Sequence, residues 1–335
     1  MAYTQQLKKG ATAVCCAFLL VLTSCSGSKD LPPAEINRFY NFTPDVRVLV
    51  NKPAHPEPSN QSLLILFALP NGNTIEWTYG KKLENGDDWH YDIQHIAAQT
   101  RFLRHELPQY NVIVAYLEAK QKSWPAWRRK YPDNADIIAR IVQYVRFETG
   151  EPQHIILSGH SGGGSFITGY INAYDSIPPF IQRISYLDAN YSFDQDSLSH
   201  GTKLYHWLLS DTTHRLCVIC YDDREIRWHG KKVVGPDGGT FRATKRMLQY
   251  FTEQTHIDTK QDSTIEQYWA LDGRARFLVH TNPDTLILHT VLVERNGFIH
   301  SVLCDTPLDE KDYSFFGKRA YSEYIQDEIP WLKQP

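Results

Sequence analysis

The chain has 335 residues, 42% of them hydrophobic and 13% aromatic; that many Trp, Tyr and Phe bury enough apolar area to offset ordering entropy, which excludes a disordered chain. Lys plus Arg is 35 and Asp plus Glu is 38, a formal charge of −3, and this near-balance excludes the basic excess that nucleic-acid binding needs. A single apolar run approaches membrane length, which excludes a polytopic membrane protein.

That run opens the chain. Lys8 and Lys9 precede a nearly pure apolar stretch over residues 11–22, shorter than the ~20 apolar residues of a spanning helix and matching the core of a secretory signal peptide. It ends in Leu22-Thr23-Ser24-Cys25, which resembles the bacterial lipobox. The resemblance implies a signal peptide over residues 1–24, a lipidated Cys25 as the mature first residue, and a place in the bacterial cell envelope. The acyl chains would then hold the protein on a membrane, periplasmic or cell-surface side, at ~0.8 kcal/mol per buried CH₂. Residues 25–60, with Pro32, Pro33, Pro53, Pro56 and Pro58, read as a tether. Within it residues 46–50 could form an edge strand. Cys217, Cys220 and Cys304 remain after processing, and their apolar setting marks them as buried structural cysteines. No zinc-type cluster exists.

From residue 61 to residue 335 short apolar runs alternate with amphipathic stretches. The predicted order is strand 62–69, helix 92–107, strand 111–117, helix 134–149, strand 154–158, helix 162–174, strand 184–187, helix 203–209 and strand 216–221. Residues 224–284 change rhythm: His229-Gly230 and Asp272-Gly273 look like hairpin turns, with a helix at 242–251 between them. This stretch reads as an insertion before a last strand at 286–293, followed by a closing helix at 321–329. Continuous apolar strands alternating with helices predict an α/β fold, a mostly parallel sheet covered on both faces.

Gly159-His160-Ser161-Gly162-Gly163 fits the pattern G-x-S-x-G, entered by a strand and left by a small-residue helix. That is the setting of a nucleophile elbow, in which a tight turn lifts the serine hydroxyl above the sheet. Neither a dinucleotide fingerprint nor a phosphate-loop lysine accompanies it. With this motif and strand order, residues 60–335 resemble the α/β-hydrolase superfamily, lipase- and esterase-like serine hydrolases among them. The resemblance implies a serine nucleophile, an acid, a late histidine and an oxyanion hole after the first central strand.

Ser161 fills the first role. Among the late histidines, His289 sits inside the apolar run and reads as packed, whereas His300 follows Asn296-Gly297 in a loop and is the expected base. Asp188 stands alone at a strand end and is the expected acid. Asp222 and Asp223 end the next strand, the usual place in most of the superfamily, and Asp223 is the alternative, with Arg224 as an ion-pair partner. The backbone amide of Gly162 and one from Asn71 or Gly72 are the expected oxyanion donors. Trp77, Trp89, Trp124, Trp127 and Trp228 fall in loops of the catalytic edge, where they either stack on substrate or pin the loops. His95, Arg101 and Arg104 read as surface or sheet-capping residues.

Two functions from different classes follow. One is a membrane-anchored serine hydrolase cleaving a carboxylic ester, small or glycan-linked, without metal or organic cofactor; lactones and amides use the same residues. The other is an inactive hydrolase-fold surface lipoprotein that binds a carbohydrate or lipid.

Overall fold

The computed structural model describes residues 34–332. The expected signal peptide and Cys25 lie outside these residues. Among the described residues no helix is long and apolar enough to cross a membrane.

The strands are β1 (Glu35–Phe42), β2 (Val46–Pro53), β3 (Gln61–Ala68), β4 (Tyr110–Ala119), β5 (His154–His160), β6 (Ile181–Leu187), β7 (Arg215–Tyr221), the short hairpin β8 (Arg227–Trp228) and β9 (Lys231–Lys232), β10 (Asp258–Gln261), β11 (Ile265–Ala270) and β12 (Ala275–His280). Ten of them form one sheet in the order β1-β2-β4-β3-β5-β6-β7-β12-β11-β10. The six from β4 to β12 run parallel, and antiparallel strands extend both edges. Helices α1 (Ile75–Tyr79), α2 (Ile96–Glu106), α3 (Trp124–Lys130), α4 (Asn134–Glu148), α5 (Gly164–Asn172), α6 (His200–Ser210), α7 (Thr240–Gln254) and α8 (Phe298–Leu303) connect them. This is an α/β-hydrolase fold: a mostly parallel sheet, helices on both faces, and a serine on the tight turn after β5.

Alternate residues of β3 show why the strands are apolar throughout. Leu64 and Leu66 join Ile138, Ile141, Phe166, Leu204 and Phe251 from the helices of one face. Leu63, Ile65 and Phe67 join Ile96, Leu103, Phe298 and Ile299 on the other. Each large side chain so buried contributes about 1.5–3 kcal/mol, and a strand sandwiched this way has no polar face to alternate with.

Five expectations need correction. β1 and β2 are ordered strands of the sheet, so the domain begins inside the stretch read as a tether. Glu35 on β1 explains this: its carboxylate binds Arg101 at 2.7 Å and Arg104 at 2.5 Å, and all three side chains are buried. The two arginines are therefore interior anchors rather than surface residues, and their charge holds the Glu35 carboxyl below its usual range against the opposing pull of burial. The hairpin turns fall at the expected places, but β10, β11 and β12 extend the main sheet instead of forming a separate insertion. The last parallel strand is β12; residues 286–293 form a loop entering a helical turn. Finally, the expected closing helix at 321–329 is a single tight turn, Ser322–Tyr324.

Candidate active site

β5 carries Ser161 to the carboxyl end of the sheet. There the backbone turns through φ 53° at Ser161, a left-handed conformation that costs a non-glycine residue free energy. The turn is held by close approach on both sides. A Cβ on Gly163 would stand 2.1 Å from the Ala68 carbonyl oxygen, and one on Gly162 would stand 2.0 Å from Asn71 Oδ1. At Gly163 the backbone bars any side chain, and at Gly162 one would have to displace Asn71. Ser161 opens onto a cavity of about 200 Å³ that is also lined by Asn71, Pro125, Ser165, Ala189 and Tyr191.

His160 of β5 pairs with Leu187 of β6, so Ser161 and Asp188 leave the sheet side by side. Asp188 is fully buried. One of its oxygens accepts from the Thr240 hydroxyl and the other binds Nδ1 of His289. The His289 ring is a quarter exposed, with Nε2 left as its second nitrogen. His160, beside Ser161, ties that loop down. Its Nε2 donates to the His289 carbonyl at 3.0 Å, and the two rings lie 4.7 Å apart. Burial first, and then His289, hold His160 well below the ordinary histidine range, so it is a neutral structural donor.

The structure thus brings His289, and not His300, to the carboxylate. His300 lies on α8 inside the core, its Nδ1 hydrogen-bonded to the Tyr313 hydroxyl at 3.0 Å and its ring stacked 4.7 Å from Phe315. Burial, reinforced by Arg276 and Arg183, pushes it down to about 3. Sealed in the core, with its nearest carboxylate, Asp309, no closer than 3.7 Å, this imidazole offers no open nitrogen to a substrate and lacks what a general base requires. The apolar run at residues 286–293 mimics a last strand, which would pack His289 inside the sheet; instead it is a loop entering a helical turn. Asn282-Pro283-Asp284 is the signal that points the other way, since it ends β12 just before this loop.

Asp223 also reaches this site, though differently from what the sequence suggests. Asp222 makes the ion pair with Arg224, at 2.6 Å. Asp223 turns inward, accepts the Thr240 amide at 2.8 Å and the Thr240 hydroxyl at 3.4 Å, and leaves Oδ1 buried without a partner. Burial and the neighbouring Asp188 push it up to about 6. Thr240, at the start of α7, thus bridges two carboxyl groups that the sequence presented as rivals. Nothing local in the sequence marks it.

For the oxyanion site, the Gly72 amide is already committed to the Lys122 carbonyl at 2.8 Å. That removes Gly72 and leaves Asn71, whose side chain lies against Gly162. Gly162 itself begins a helical turn, where backbone amides have no intrahelical acceptor. The tryptophans divide. Trp124 and Trp127 are core residues whose indoles donate to the Leu117 and Pro44 carbonyls, whereas Trp89 and Trp228 are 64% and 63% exposed.

No family model matches the chain, and no curated protein matches it. Among solved structures it is similar to a thermophilic esterase from the Planctomycetes species Thermogutta terrifontis, at 12% identity and a TM-score of 0.40, covering 81% of this chain and 89% of that one. It is also similar to the feruloyl esterase module from Clostridium thermocellum, an S954A mutant complexed with sinapinate, at 10% identity and a TM-score of 0.43, covering 78% and 87%. At such identities and scores the assignment of function rests on the site itself.

Proposed function

We propose that this protein is a serine hydrolase that cleaves carboxylic esters with short acyl groups. The observation that carries it is the convergence of Ser161 on a strained turn, Asp188 beside it, and His289 joined to Asp188 through Nδ1. The Ser161 hydroxyl attacks the ester carbonyl and passes its proton to Nε2 of His289. Asp188 fixes the tautomer and stabilises the imidazolium that forms. The amides of Gly162 and Asn71 receive the oxyanion, each such donor supplying about 10²–10³ in turnover. Collapse expels the alcohol, which takes the proton from His289 and leaves an acyl group on Ser161. Water, deprotonated by the same histidine, then releases the acid. The cavity of about 200 Å³ beside Ser161 favours small acyl groups over long chains. The lipobox at Cys25 supports an envelope enzyme anchored to a membrane; a Cys25→Ala protein that still fractionates with membranes at unchanged mass removes that part.

Labelling with a fluorophosphonate tests the hydrolase directly. The wild-type protein should react at one serine and Ser161→Ala should not, while a wild type that stays unlabelled ends the proposal.

A further inference from the structure

Four side chains form one continuous stack. The Lys122 ammonium lies 4.7 Å over the Trp77 ring. Trp77 stacks on His90 at 4.4 Å with 14° between the planes, and His90 stacks on Trp89 at 4.0 Å with 27°. Asp88 fixes the middle of the stack, accepting the His90 amide at 2.9 Å and binding its Nδ1 at 2.5 Å. Trp89 is the outermost ring and is 64% exposed. Contacts lead from the stack to the chemistry: the Lys122 carbonyl accepts the Gly72 amide, and the preceding Asn71 lies against Gly162.

A lone exposed indole is unremarked on most proteins. This one is stacked on His90, which Trp77 and Asp88 hold in turn, and that preorganisation favours binding. We infer that the exposed face of Trp89 is a subsite for a neutral sugar ring in the part of the ester substrate away from the bond cleaved. The inference rests on the hydrolase reading for the word substrate, though not for the binding. A pyranose presents a flat face of C–H groups to an indole and a rim of hydroxyls to its surroundings. The exposed carboxylate of the adjoining Asp88, whose Oδ1 holds His90, offers its second oxygen as an acceptor for them. A membrane fits less well. Lys81 is paired with Asp87 and Lys82 with Asp327, which leaves no basic excess for an anionic lipid surface.

The test uses the full-length protein carrying Ser161→Ala, titrated with xylotetraose, cellotetraose and mannotetraose while tryptophan fluorescence is followed. At least one sugar should bind. Trp89→Ala on that background should weaken it about tenfold, and Trp228→Ala, which removes the other exposed indole, should not. In the active protein Trp89→Ala should raise KM for the acetylated form of the same sugar more than it lowers kcat. Absence of binding by all three sugars, or equal binding by Trp89→Ala, overturns the subsite. So does Trp89-dependent sedimentation with phosphatidylglycerol vesicles in place of sugar binding, which would make the indole a membrane contact. If the sugar titration depends on Trp89 while Ser161 takes no fluorophosphonate, the hydrolase reading falls and the sugar subsite stands.

Discussion

His289 and His300 sit in consecutive stretches of chain and have opposite surroundings. His289 is in a loop, a quarter exposed, with a carboxylate on one nitrogen. His300 is in a core helix, sealed between Tyr313 and Phe315 and held neutral by burial. On the proposed mechanism, position after the last strand does not by itself make a base. What makes one is a negative partner at one ring nitrogen and open space at the other.

Alanine at each histidine breaks or confirms the contrast most sharply. His289→Ala, like Ser161→Ala, should lower turnover of a nitrophenyl ester by about 10⁴–10⁶, and the double variant should be no worse, because the three groups act as a unit. His300→Ala should keep its turnover per folded molecule and lose about 2–4 kcal/mol of stability through the cavity left in the core. An inactive but well-folded His300→Ala protein reverses the assignment.

The two aspartates extend the same comparison. Asp188→Asn leaves His289 without its carboxylate and should cost about 10⁴ in turnover with the fold intact. Asp223→Asn should cost less than about tenfold, since its carboxyl touches Thr240 and not the imidazole. Equal losses in kcat at matched melting temperature would show that the two carboxyls act as one acid.

Away from the site, Glu35→Gln should cost about 3–5 kcal/mol by stranding the buried Arg101 and Arg104, with turnover unchanged. Guanidinium unfolding measures it; a loss under about 1 kcal/mol would mean that the β1 anchor behaves as a surface pair.

The smallest effect concerns pH. Asp223 has its folded pKa raised from 3.8 to about 6, so the folded state holds an extra proton between those values and loses stability as pH rises through them. His300 has the opposite sign: its folded pKa falls from 6.5 to about 3, so stability is lost as pH falls through that window. Asp223→Asn should therefore gain on the order of 1–2 kcal/mol over wild type at pH 8 and almost nothing below pH 3.8. Melting curves across that range read the difference directly, and a pH-independent difference would show that Asp223 titrates at the same pH in the folded and unfolded chain.

The elbow at Ser161 and the alternation of strands and helices were legible in the sequence because each is local. A tight turn needs its glycines within a few residues, and a strand buried on both faces is apolar along its whole length. Asp188 was legible for the same reason, as a lone carboxylate at a strand end. The base was not. Leu286-Ile287-Leu288 reads as strand to any periodic pattern, and only the packing of β12 against β7 shows that the last parallel strand is already complete by His280. Thr240 joins Asp188 and Asp223 across three separate segments, and Glu35 finds Arg101 and Arg104 across 66 and 69 residues of chain. Trp127 and Trp89 look alike in the sequence, yet one is core and the other stands in solvent. Local patterning alone settled most of the central strands and helices, the elbow at Ser161 and the carboxylate of Asp188 beside it. Which histidine meets that acid, and which charges and rings are buried, was decided by the tertiary structure, because those partners are distant in the chain and only the closed sheet brings them within hydrogen-bonding reach.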